Sequence, residues 1–292
     1  MAGLKMVIPT TFTDNSLAVL RDDELLPSAG ALLLLDATHS AGSWPAGVPT
    51  AGTLLTNIAA TQATALTGDP LKAIVETNYT SANMIVERTS KGGLHTMPSS
   101  AAGYPANTYF RLNMPAALRN YLFANMEHDF YFSQWTRHTR NSGGSGAPMN
   151  TGAFHKNSGT YLAALWRSGA TLGSYPGGGF GTAELLGSRV GALTPGTATH
   201  QSLGVNSWVG TNPAAATEIT TMPYASGSTT AVTPAATFQL PALALYRVYL
   251  EDLTVSGRTY AQVDALDNQL FTDEVQTAGG RYYGDTYTTP SN

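Results

Sequence analysis

Cysteine is missing from the chain altogether, which excludes disulfides and thiolate metal sites. Charge is scarce: Asp, Glu, Lys and Arg make up 12% of the 292 residues, against about 25% in an ordinary soluble domain. Lysine is the scarcest of these, with Lys5, Lys72, Lys91 and Lys156 set against eleven arginines. A net charge of -4 with no basic run argues against nucleic acid as a partner, because phosphate backbones are held by clustered cations. No apolar run approaches the 18 residues of a membrane-spanning helix, so no membrane partner is expected. From Met1 to Phe12 the only apolar run is Met6–Pro9, too short for the core of a signal peptide. The expectation is synthesis and assembly in a cytoplasm, without export.

Motifs that carry chemistry are equally thin. Gly-x-Ser-x-Gly and Ser-x-x-Lys nucleophile patterns do not occur. Gly177–Gly181 is glycine-rich but lacks the Lys-Ser/Thr of a phosphate loop, and no alternating Asp/Asn calcium loop is present. Asp36 with His39 is at most half a metal site, and His128, His138 and His155 show no ligand spacing. No metal and no cofactor is expected. Glu127-His128-Asp129 is the best catalytic candidate, since carboxylates two apart on a strand share a face about 6–7 Å apart, a spacing that suits sugar hydrolysis. A third acid three residues on would complete the pattern of sandwich-fold glucanases, but position 132 is Phe. No catalytic residue is therefore assigned.

What the chain does have is a long neutral stretch. From Val190 to Tyr246 the only charged side chain is Glu218, amid Thr, Ala, Gly, Pro and Ser. It is too long for an ordinary loop and lacks the charge of a soluble disordered tail, so the expectation is that neighbouring subunits hold it. A surface this poor in charge is weakly protected against association, and arginine in place of lysine suits interfaces.

Strand signals dominate. Ala31–Asp36 is a short apolar run bounded by turn residues, fit for a strand buried on both faces. Further strands are expected at 72–78, 84–88, 108–113, 128–136, 160–167 and 243–252, the aromatic-rich 128–136 being the clearest. Two helices are expected. Met114–Asn125 has Pro115 at the first helical position. Thr259–Gln276 opens on a Thr259/Gln262 capping box, carries Tyr260, Val263, Leu266 and Leu270 at helical spacing, and stops at Ala278-Gly279-Gly280. Loops are expected at 141–150, 168–181 and much of 191–234, with contact as their task. Arg247, Arg258 and Arg281 are placed to pair with Glu251, Asp252 or Asp285 and fix the strand–helix joint. With no internal repeat and no interdomain linker, residues 1–292 are expected to form a single domain with an extended N-terminal arm and a helix near 259–276.

The segment Tyr246–Thr259, together with Ala31–Asp36, Trp44–Pro49 and Tyr161–Arg167, resembles virion-associated proteins of tailed bacteriophages that carry a concanavalin-like, laminin-G-like jelly roll. The resemblance implies an all-β fold: an antiparallel jelly-roll sandwich with long loops and a C-terminal helix. It also implies a non-enzymatic structural role in the virion, as a capsid-decorating, collar or tail subunit contacting copies of itself and other virion proteins. A receptor- or glycan-binding module is the alternative, with host surface glycan as partner and Trp44, Trp208, Tyr282 and Tyr283 as candidate contacts. A polysaccharide-degrading enzyme using Glu127 and Asp129 is the third reading.

Overall fold

Large and small side chains alternate from Leu243 to Leu250 because the strand they form is covered on both faces. The computed structural model describes residues 25, 28–42, 44–99, 106–141, 149–156, 161–168, 171–175, 184–191, 194–206, 213–228 and 240–290. The elements in chain order are β1 (Ala31–Asp36), β2 (Leu54–Leu55), α1 (Ala60–Thr67), β3 (Ala73–Asn78), β4 (Met84–Arg88), β5 (Leu94–Pro98), β6 (Thr108–Asn113) and α2 (Ala116–Ala124). They continue with β7 (Asp129–Arg140), β8 (Met149–Lys156), β9 (Tyr161–Ser168), β10 (Thr171–Tyr175), β11 (Glu184–Arg189), β12 (Ala198–Asn206), β13 (Ile219–Met222), β14 (Tyr224–Ser228), β15 (Ala242–Asp252), α3 (Leu253–Ser256) and α4 (Tyr260–Phe271).

One sheet runs β11-β12-β7-β15-β5-β4. Strand β7 lines one edge of β15 from end to end, whereas β5 and β1 share the other edge in tandem. The opposing layer consists of two four-stranded sheets, β10-β9-β8-β13 and β14-β6-β3-β2. Only Pro223 separates β13 from β14. Without an N–H it cannot continue the ladder, and the chain passes from one sheet to the other there. The result is the antiparallel jelly-roll-type sandwich with a C-terminal helix that the strand pattern and the resemblance implied. Phe132, Leu245, Val248 and Leu250 meet Val75, Phe110, Phe154 and Leu165 between the layers, with Phe132 and Phe154 edge to face at 5.0 Å. On the outer face of the first sheet, Tyr131, Trp135, Tyr246 and Tyr249 are covered by Val263, Phe271, Val275 and Tyr282. That double coverage explains why every residue of β1 and β15 is buried.

The Thr259/Gln262 capping box forms as expected, and Val263 is buried beneath the half-buried Tyr260, Leu266 and Leu270. The helix closes in a π-turn over Thr272–Gln276. Pro115 takes the N-cap position of α2, one residue earlier than expected.

Two of the expected loops are partly strand. Residues 168–181 contain β10, and 191–234 contain β12, β13 and β14. Of 141–150, positions 142–148 lie outside the described residues, as does the expected arm over 1–24. Strand β12 shows little apolar alternation because its buried polar side chains bond within the fold: Gln201 Nε2 donates to the Gly173 carbonyl (3.0 Å) and Ser202 Oγ to Asp264 (2.6 Å). Opposite one another on β11 and β12 stand Gly187 and Gly204. A Cβ at either would lie 2.3 and 2.5 Å respectively from the Tyr260 ring, so the two glycines form the seat on which α4 begins. The described strands of the neutral stretch are thus paired within the chain's own ladders.

Candidate functional site

The charges the sequence does spend are turned inward. Beneath α4, Asp267 has no solvent exposure and accepts from Tyr131 Oη (2.9 Å), Ser133 Oγ and Trp135 Nε1 (3.0 Å). His200 Nε2 lies 3.1 Å away and Arg247 Nε 4.0 Å away. Burial alone would raise this carboxyl, but His200, Arg247 and the hydrogen bond from Ser133 together hold it well below the usual carboxylate range. Asp36 receives Arg281 in a two-point fork (2.9 and 3.0 Å) and the Tyr282 hydroxyl (2.7 Å). Again burial raises the carboxyl, and the Arg281 and Arg247 charges more than offset it. Glu251 is bonded by Arg258 and Tyr249, Asp264 by Arg189 and Ser202, and Asp285 by Tyr246 and Ser90.

These contacts test the expected joint. Arg258 does pair with Glu251. Arg281 instead takes Asp36 and Glu274, and Asp252 binds Tyr121 Oη and His128 Nδ1, each at 2.7 Å. Nothing in the sequence ties Asp36 to Arg281 across so many intervening residues. Each of these carboxylates is held by donors from within the fold.

The enzymatic candidate does not assemble as the spacing suggested. Glu127 lies in the turn before β7, fully outside the strand, so it shares no strand face with Asp129. His39 is buried, and its Nδ1 accepts from the Ala41 amide (3.1 Å). Of the aromatic candidates, Trp44 is 4% exposed beneath the Arg88 guanidinium, and Tyr282 is fully buried against Tyr246. Neither presents a ring face to a glycan. Tyr283 is 46% exposed. Trp208 and Gly177–Gly181 lie outside the described residues.

Two further surface features bear on binding, and neither is foreshadowed by a sequence motif. The first is β11, which ends the larger sheet with Leu185, Leu186 and Val190 all more than a third exposed; a groove of about 200 Å³ runs between this edge and α4, past His200 and Asn268. The second is an open groove of about 440 Å³ on the outer face of β3 and β6, at the start of α2. Glu76 and Arg111 pair across it at 2.7 Å, and Arg111 lies over the Tyr109 ring at 4.4 Å. Alternation along β3 and β6 puts Glu76, Arg111 and Asn113 on this one face.

No protein-family model matches the chain, and no curated protein matches it. Among solved structures it is similar to a mutant of Trypanosoma rangeli sialidase displaying trans-sialidase activity, at 15% identity and a TM-score of 0.40 over 82% of this chain and 34% of that one. It is also similar to a botulinum neurotoxin type C chain, at 10% identity and a TM-score of 0.43 over 84% of this chain and 53% of that one. A family 7 alginate lyase, A1-II′, matches at 13% identity and a TM-score of 0.36 over 60% of this chain and 83% of that one. The chain spans about a third of the sialidase and about half of the toxin chain. Identities this low transfer no residue's role.

Proposed function

We propose that the protein is a non-enzymatic structural protein of a tailed-bacteriophage virion: a capsid-decorating, collar or tail subunit that packs against copies of itself and other virion proteins. The observation that carries this reading is where the charge sits. Asp36, Glu251, Asp252, Asp264, Asp267, Glu274 and Asp285 are all buried, and so are Arg140, Arg167 and Arg247. A chain with 12% charged residues therefore has an even more neutral exterior than its composition suggests. At one edge that exterior offers β11, where Leu185 and Leu186 lie exposed between Glu184 and Arg189. Edges of this kind pair with other chains unless they are blunted.

Electron microscopy of purified particles, with a copy number from protein stoichiometry, tests the reading. The expected result is a repeated density that this fold fits. Leu185→Lys with Leu186→Lys is expected to leave the fold intact and abolish incorporation. A protein that stays monomeric at every concentration and never associates with particles would overturn it. A receptor- or glycan-binding module is the second reading, favoured by the polar groove on β3 and β6.

A further inference from the structure

The groove on β3 and β6 has a composition that selects a ligand. Its capacity of about 440 Å³ falls within the roughly 300–1,000 Å³ of small-molecule sites. Its two arginines are not equivalent. Arg111 gives both Nε (2.9 Å) and Nη2 (2.7 Å) to one oxygen of Glu76, Oε2, so its charge is neutralised in place. Arg119, one turn into α2, also lines the groove, and among the described residues its guanidinium meets no carboxylate within ion-pair distance. The groove thus carries one uncompensated positive charge, enough for a single carboxylate and too little for a dianion.

Two acceptors complete the pattern. Asn113 Oδ1 is buried with no hydrogen-bond partner, a state that costs free energy unless a donor reaches it. The Glu76–Arg111 bonds engage only Oε2, which leaves Oε1 of this groove-lining residue outside that pair. From the strand register, Glu76 and Asn113 are diagonal neighbours, about 7–8 Å apart. Met114 and Pro115 supply an apolar wall for the ring's C–H face.

The geometry points to a binding site for a carboxylate-bearing saccharide, a uronic-acid residue of a surface polysaccharide, with Arg119 taking the carboxylate and Glu76 and Asn113 taking hydroxyls. The assignment rests on the glycan-binding reading and is independent of the assembly reading. Planar, two-point recognition explains why arginine rather than lysine would stand here.

Isothermal titration of the full chain with sodium glucuronate, glucose, sodium acetate and an oligouronide tests it. Glucuronate and the oligouronide are expected to bind at least tenfold more tightly than glucose or acetate. Arg119→Ala is expected to reduce glucuronate binding to the level of glucose, and Asn113→Ala to weaken glucose and glucuronate alike, with melting temperatures unchanged in both. Acetate binding as tightly as glucuronate would overturn the site as a saccharide site. Equal binding of glucose and glucuronate, unaltered by Arg119→Ala, would overturn the carboxylate assignment while leaving glycan binding standing. Binding of no saccharide would overturn both.

Discussion

Asp267→Ala removes the acceptor at the centre of the contact between α4 and the larger sheet. The carboxylate is fully buried and answers four neutral or cationic donors and one more distant guanidinium: Tyr131, Ser133, Trp135, His200 and Arg247. Breaking a buried charge cluster from one side typically costs about 3–5 kcal/mol, mostly because the surviving partner is left charged and dry. Here that partner is Arg247, 1% exposed, with Asp36 Oδ2 still 3.7 Å away. Retention of Asp36 places the expected loss at the lower end, about 3 kcal/mol. A chain of this size loses roughly 2–4 °C per kcal/mol, so the midpoint should fall by about 6–12 °C. Asp267→Asn should cost less, because its amide oxygen can still accept from Trp135 while the Tyr131 and Ser133 hydroxyls rotate to accept from its NH₂. Urea unfolding followed by tryptophan fluorescence, with near-ultraviolet circular dichroism as a second probe, measures both variants. A loss below about 1 kcal/mol for Asp267→Ala, or Asn proving worse than Ala, would refute the claim that this carboxylate organises the joint.

Acid should act in two stages. Burial and the neighbouring Arg167 push the His138 imidazole well below its usual range, so below about pH 6.5 the unfolded chain binds the extra proton and stability falls with falling pH; His138→Gln should flatten this stage in urea midpoints taken from pH 7 to 5. Asp36 and Asp267 have depressed folded values, so their contribution is complete above the unfolded carboxylate range, about pH 4, and is lost as pH falls below it; Asp36→Asn should shrink that second slope. Gly204→Ala sets a methyl against the Tyr260 ring and should cost about 1–3 kcal/mol. A double-mutant cycle with Tyr260→Ala should recover most of that cost. Arg167 is 2% exposed with His138 Nδ1 at 2.7 Å and no carboxylate within ion-pair distance among the described residues, and burial lowers its basicity to a pKa of about 9. Arg167→Met should therefore be neutral or stabilising in a thermal melt, and a loss above about 2 kcal/mol would count against this account.

Legibility in the sequence followed side-chain type. Ala31–Asp36, Met84–Arg88, Thr108–Asn113 and Leu243–Asp252 were readable because β-branched, aromatic and leucine side chains dominate them. The α4 start was readable because Thr259 and Gln262 cap each other locally. Strands β11 to β14 were not readable. Beside the core residues Leu203, Val205, Ile219 and Tyr224, these strands carry Gly, Ser, Thr and Gln, whose hydrogen bonds close only once distant strands arrive. The polar groove was hidden for a related reason. Glu76 and Arg111 sit on different strands, and Arg119 belongs to a helix whose docking against the sheet no local pattern encodes.

The neutral stretch and the buried carboxylates are two aspects of one arrangement. Its strands stay uncharged because β12 lies between the sandwich interior and α4, where an unpaired charge would be costly. Charge enters the joint as Asp264 and Asp267 from α4, met by Arg189 from β11, Arg247 from β15 and hydroxyls from β7 and β12. Composition alone could not separate neutrality imposed by a neighbouring subunit from neutrality imposed by the chain's own helix. The ladders pair β12 and β13 within the chain, whereas β11, which precedes the neutral stretch, offers exposed leucines at a sheet edge. If Leu185→Lys with Leu186→Lys leaves self-association unchanged, low surface charge has no bearing on assembly in this protein, and the groove beside α2 becomes the feature that defines its function.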